Sequence, residues 1–119
     1  MPTLLMYLPL CLNNKILEPS ENDVLFGKGY FVHHHPGNCK YRSIVIERKF
    51  EYKQTKNNTC KHKIAQSILM DIENLSPPGR FLSLDEDGTY YEQTNNFVIL
   101  TKIKSALREN SSSKIDINQ

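Results

Sequence analysis

The chain has no tryptophan, and its three cysteines, Cys11, Cys39 and Cys60, form no C-x-x-C pair. So sparse and odd a set of thiols excludes a disulfide framework and fits a reducing, intracellular compartment. A Walker-type phosphate loop is missing, because neither its spacing nor its closing Lys-Ser/Thr occurs. There is no nucleophile elbow and no internal repeat. The one apolar opening run, "MPTLLMYLPLCL", is too short to span a bilayer, which takes about 20 residues. It also lacks the charged start and small-residue cleavage site of a secretion signal. Residues 1–21 read as a flexible N-terminal arm ending in the polar "EPSEND", and no membrane partner is expected.

What is there suits one domain, since 119 residues hardly allow two. The net charge of +2 says little, but its distribution says more. Between residues 40 and 63, Lys40, Arg42, Arg48, Lys49, Lys53, Lys56, Lys61 and Lys63 stand against only Glu47 and Glu51. Between 71 and 92 the balance reverses, with Asp71, Glu73, Asp85, Glu86, Asp87 and Glu92 against Arg80. Such a split is either a nucleic-acid face or two halves of one domain attracting each other.

Periodicity orders the rest. Val24-Leu25-Phe26 is a short extended piece running into Gly27-Lys28-Gly29, and Tyr30-Phe31-Val32 offer apolar anchors before His33-His34-His35. Pro36-Gly37-Asn38 is a turn, with Asn38 as N-cap of a helix from about Cys39 to Lys56. On that helix Tyr41, Ile44, Val45, Arg48 and Tyr52 share one side, while Ile46 and Phe50 make a separate apolar patch. Asn58 or Thr59 caps a second helix from about Cys60 to Asn74, whose stripe Ile64, Ala65, Ile68, Leu69 and Ile72 is the clearest helical signal in the chain. Ser76-Pro77-Pro78-Gly79 stops it. Arg80–Leu84 alternates like a strand, Asp85–Gly88 turns, and Thr89–Glu92 returns. Asn95 and Asn96 cap a last helix from about Phe97 to Glu109, and 110–119 is a flexible polar tail. The expected fold class is α+β, a single domain over 22–109 in the order loop, helix, helix, β-hairpin, helix. Tyr41, Val45, Ile64, Ile68, Leu69, Phe81 and Leu107 form its expected core.

Six short motifs occur in a fixed order: "NDVLFGKG", "HPGN" followed by "YR", "KIA" with "IL", "GRFL", "DGTYYE" and "KIKSALRE". Together they resemble an uncharacterised domain family, abundant in diatoms and related protists, whose usual form is NDVL-x-GRG, HPGN-x-x-FR, K-x-x-IA, GRFL, G-x-W-x-E and K-x-x-QALR. The resemblance covers about Asn22 to Glu109. Lys28 stands where that pattern has Arg, Tyr41 where it has Phe, Tyr90 where it has Trp, and Ser105 where it has Gln. A lysine at 28 acts as a point charge rather than a bidentate fork. The family is one of unknown function, so the resemblance implies the domain and no chemistry.

Several candidate sites follow from the residues. Gly27 and Gly29 let the backbone take positive φ, and with Lys28 they either cradle an anion or make a plain tight turn. His35, Cys39, Cys60 and His62 are a conceivable zinc set, but their spacing is poor and no knuckle supports it, so no metal and no cofactor are expected. His35, Pro36, Gly37 and Asn38, with Gly27 and Gly29, read as structural turn and cap residues. Asp85, Glu86 and Asp87 sit in a turn, where solvated carboxylates are ordinary, and no acid–base pair stands out, so no enzyme is expected. Arg42, Lys49, Lys53 and Lys56 line up on the first helix as a basic stripe which, with Lys28, can follow a phosphate backbone. The expectation is a non-enzymatic module, intracellular with the nucleus as a natural site. It binds DNA or RNA through that stripe or, alternatively, another protein through Ile46, Phe50 and the apolar arm.

Overall fold

Two strand segments far apart in sequence, Val24–Leu25 (β2) and Phe81–Leu84 (β3), lie side by side and parallel. Parallel neighbours need a long crossover, and here helices supply it. The computed structural model describes residues 15–16 and 18–109. After β2 come a short helix α1 (Tyr30–His34), then α2 (Pro36–Gln54) and α3 (Asn58–Glu73). β3 follows, then β4 (Tyr90–Glu92) and α4 (Asn96–Arg108). The architecture is α+β, as expected.

The sheet is larger than a lone hairpin. Its order is β1-β4-β3-β2, where β1 is Lys15–Ile16. β1 and β3 both pair antiparallel with β4, and the registers Val24↔Phe81 and Leu25↔Leu82 tie β2 to β3. Lys15 and Ile16, assigned above to the N-terminal arm, therefore pair with the sheet. Residues 1–14 of that arm and the tail from 110 lie outside the described residues.

The core forms where helical stripes meet one sheet face. Tyr41, Val45 and Tyr52 of α2, Ile64, Ala65, Ile68, Leu69 and Ile72 of α3, and Ile99, Ile103 and Leu107 of α4 pack with Val24 and Phe81. All seven expected core residues are in this cluster. Arg48 stays with its side of α2 because Asp71 on α3 pairs with it and Ser67 Oγ accepts from it at 3.2 Å. Leu25 and Leu82 are fully buried too, which the alternation of the strand did not suggest for Leu82.

Several boundaries move for local reasons. α2 begins at Pro36, which needs no amide partner at a helix start. Asn57, rather than Asn58 or Thr59, caps α3, accepting from Thr59 N at 2.7 Å and Cys60 N at 3.2 Å. Asn95 caps α4 in the same way. Tyr30 and Phe31, expected as anchors, are 79% and 60% exposed on α1, where no residue is buried. Lys56 lies beyond the end of α2, off the helical line on which it was expected.

Leu69 is nearly buried amid this cluster. Leu69→Ala should lower unfolding free energy by about 2–5 kcal/mol in a denaturant titration. A change below about 0.5 kcal/mol, the range of a surface substitution, would mean that the α3 stripe does not face the core.

Candidate functional site

Apart from tyrosines, the described residues bury four polar side chains, Asn22, Asp23, His35 and Asn38, all gathered around β2. Each has a partner. The Asp23 carboxylate accepts from Arg80 Nε at 3.0 Å and Nη2 at 2.7 Å, a bidentate pair. It also accepts from the backbone N–H of Ser20 and of Arg80. Burial pushes the Asp23 pKa up, but the hydrogen bonds and charge of Arg80 and the Ser20 amide outweigh it and hold it below the ordinary 3.8.

Asn38 completes the arrangement. Val24 N and Phe26 N donate to β3, at Arg80 O and Leu82 O, so the Leu25 N–H and C=O point to the free edge of the sheet. Asn38 Oδ1 accepts from Leu25 N at 2.8 Å, and Asn38 Nδ2 donates to Leu25 O at 3.0 Å. One side-chain amide thus takes the place of a further strand. The expected N-cap role of Asn38 is wrong. The residue lies inside the first turn of α2, and His35 occupies the cap position without a side-chain cap bond.

Close approach makes this possible. A Cβ on Gly37 would lie 1.9 Å from the Asp23 carbonyl oxygen, and one on Gly79 would lie 2.6 Å from that of Asn22. Gly37, in the first turn of α2, and Gly79, in the connection between α3 and β3, thus both press on the backbone just before β2. His35 Nε2 donates to Ser20 O at 2.9 Å, which puts the proton on that nitrogen. Asn22 Nδ2 donates to Pro77 O at 2.7 Å, while Lys40 donates to Asn22 Oδ1. "NDVL", "HPGN" and "GRFL" are therefore parts of one clamp, and among the described residues no three His, Cys, Asp or Glu side chains come together as a metal would need.

Beside the clamp lies a cleft of about 360 Å³. Gly27, Lys28 and Gly29 form one wall, with φ of +117° at Gly27 and +109° at Gly29. Gly29, at ψ 172°, sits in a region essentially confined to glycine. Arg42 of α2, His33 of α1 and Lys102 of α4 supply further walls. Lys28 and Arg42, both expected at a phosphate site, are thus brought together; Lys102 was missed. Its ammonium lies 4.8 Å from the centre of the Phe26 ring and 5.4 Å from that of Tyr41. Burial lowers the Lys102 pKa, and nearby Glu109 works against that. Tyr41 also lines the cleft, and its buried hydroxyl has no hydrogen-bond partner among the described residues. Burial, and secondarily Glu109, pushes its pKa up. Arg42 depresses the His33 pKa, with burial and His34 adding to it.

Lys49 and Lys53 continue from Arg42 along α2, and Lys53 Nζ donates to the Glu109 carbonyl at 3.1 Å. Lys56 does not share their line. Of the acidic hairpin residues, Asp85 and Asp87 accept backbone hydrogens from Glu86 and Thr89 and so shape the turn. Ile46 and Phe50, one helical turn apart, are 54% and 75% exposed.

Clamp and cleft define a small α+β domain whose most specific motifs hold a strand between helices. The chain belongs to the family described as Domain of unknown function (DUF6824), whose model matches residues 23–109. No curated protein matches the chain, and no solved structure does. Among the described residues no helix is long and apolar enough to cross a membrane.

Two measurements test the clamp. Asn38→Ala orphans two buried backbone groups at about 1–3 kcal/mol each, so the loss should exceed the roughly 1 kcal/mol of a missing helix cap. Asn38→Asp should not rescue it, because an oxygen would then face Leu25 O. Since the folded pKa of Asp23 is depressed, its stabilisation is fully present above the unfolded value near 3.8 and is lost as pH falls through the lower folded value. Asp23→Asn should flatten that acid limb in a series of melts between pH 2 and 6.

Proposed function

We propose that this domain is a non-enzymatic module that binds the phosphate backbone of nucleic acid. The observation carrying this reading is that Lys28, from the glycine loop, and Arg42, from α2, line one cleft together with Lys102. Lys49 and Lys53 extend the cationic line along α2. From Arg42 to Lys53 the helix rises about 16 Å, at 1.5 Å per residue, roughly the axial length of five nucleotides at 3.4 Å each. Lys56 stands past the helix end, where it can add charge but not register. Such contacts carry affinity rather than sequence preference. An intracellular, nuclear location goes with this reading.

A second reading rests on Ile46 and Phe50, whose exposure suits an apolar contact with a partner protein. The two readings differ in salt dependence, because apolar contacts release no condensed counterions.

The test is a salt titration of binding to random-sequence oligonucleotides. Log affinity should fall against log salt by about 0.9 per phosphate contact on duplex and about 0.7 on single strands. Replacing Lys28 and Lys49 together by Ala should make the slope shallower by roughly two contacts and weaken all sequences alike. No binding at low salt to either form would end the nucleic-acid reading and put Ile46 and Phe50 first.

A further inference from the structure

α1 is an unusual element to find beside a cationic cleft. It has five residues, buries none of them, and presents Tyr30 and Phe31 to solvent at 79% and 60% exposure. Helices this short are not held by their own hydrogen bonds, so its position depends on its flanks. Gly27 and Gly29 set the chain direction before it, and the clamp residue His35 fixes it after. Val32, half-buried, faces Gly27 across the loop. The outer side is left to rings. Tyr30 lies on His34 with centroids 4.1 Å apart and planes tilted by 39°, and Phe31 neighbours His35 at 6.1 Å.

Along the chain these rings adjoin residues that line the cleft. Lys28 and Gly29, just before Tyr30, and His33, just after Phe31 and Val32, all line the cleft that Arg42 enters from α2. Flat aromatic surface therefore follows positive charge within a few residues. Duplex bases are stacked inside the helix and offer such rings nothing, whereas unpaired bases expose both faces. A purely apolar partner surface would leave the adjoining cations without anions to meet.

We infer that the nucleic acid bound here is single-stranded, with Tyr30 and Phe31 stacking unpaired bases while Lys28 and Arg42 hold the neighbouring phosphates. This rests on the backbone-binding reading and adds to it the form of the partner. DNA and RNA strands share the chemistry, and only the ribose 2′-hydroxyl separates them.

The experiment compares fluorescence anisotropy of the full 119-residue chain with labelled dT and U 12-mers and with a 12-base-pair duplex, at one low salt concentration. Single strands should bind at least tenfold more tightly than the duplex, and the ratio between the dT and U strands tells which sugar is preferred. Tyr30→Ala and Phe31→Ala should each weaken single-strand binding about 5- to 150-fold, the range for loss of one aromatic–base stack. Duplex binding and the salt slope should be unchanged. Both side chains are exposed, so the melting temperature should stay the same and show that the fold is intact. Because the chain has no tryptophan, Tyr30→Trp installs a single indole whose fluorescence should be quenched by the dT strand and not by the duplex. Equal or stronger duplex binding, with Tyr30→Ala and Phe31→Ala silent and no quenching, overturns the single-strand inference and leaves backbone binding standing. Absence of binding to all three probes removes both.

Discussion

The structure depends on one buried interaction system, the clamp on β2. Asp23 pairs with Arg80 on one flank of the strand, and Asn38 bonds Leu25 on the other. A two-residue strand has almost no ladder of its own, and strands this short are not independently stable. It persists because each of its polar groups is met by a partner from a distant segment. Once held, it anchors the start of α2 through Gly37 and the end of the α3–β3 connection through Gly79. The parallel crossover, the packing of three helices on one sheet face and the orientation of α1 all follow from that point.

The clamp also separates structural from functional residues. Asp23 and Arg80 are occupied with each other, and Asn22, His35 and Asn38 with backbone groups around β2, so the motifs that look most like chemistry in the sequence are architecture. What they leave to solvent is the glycine loop, α1 and the cationic side of α2. Lys28 and Arg42 meet at the cleft because the clamp brings the loop after β2 against the first turns of α2. Lys102 arrives from α4 because Ile99, Ile103 and Leu107 fix the rotation of that helix on the core. Its place above Phe26 and Tyr41 keeps a charged group at a partly desolvated wall, where it acts more strongly than an ammonium in open water.

Much of this was legible residue by residue. The α3 stripe, the core membership of Tyr41, Val45 and Phe81, and the exposure of Ile46 and Phe50 followed from period alone. Asn38 was not legible, because Asn before a helical pattern is the ordinary sign of a cap. Only the proximity of an unpaired strand edge changes its role. Asp23 and Arg80 are 57 positions apart, and nothing in either neighbourhood marks the other as its partner. Tyr30 and Phe31 were misplaced for the opposite reason. Aromatic residues normally go inward, but two positive-φ glycines and a fixed histidine turn this short segment outward.

The sequence by itself determined the class of the fold, three main helices and a hairpin, and the segregation of positive charge onto the first helix. Helical and strand periods are local, so each could be read within a window of a dozen residues. It also carried the family, through short motifs in a fixed order. The tertiary structure alone decided what those motifs are for. A buried carboxylate needs a cation and an unpaired strand edge needs donors and acceptors, and which residues answer depends on segments brought together across half the chain. The same packing decided which cations share a cleft and which rings stand beside them, because a surface is assembled from elements that do not adjoin in sequence.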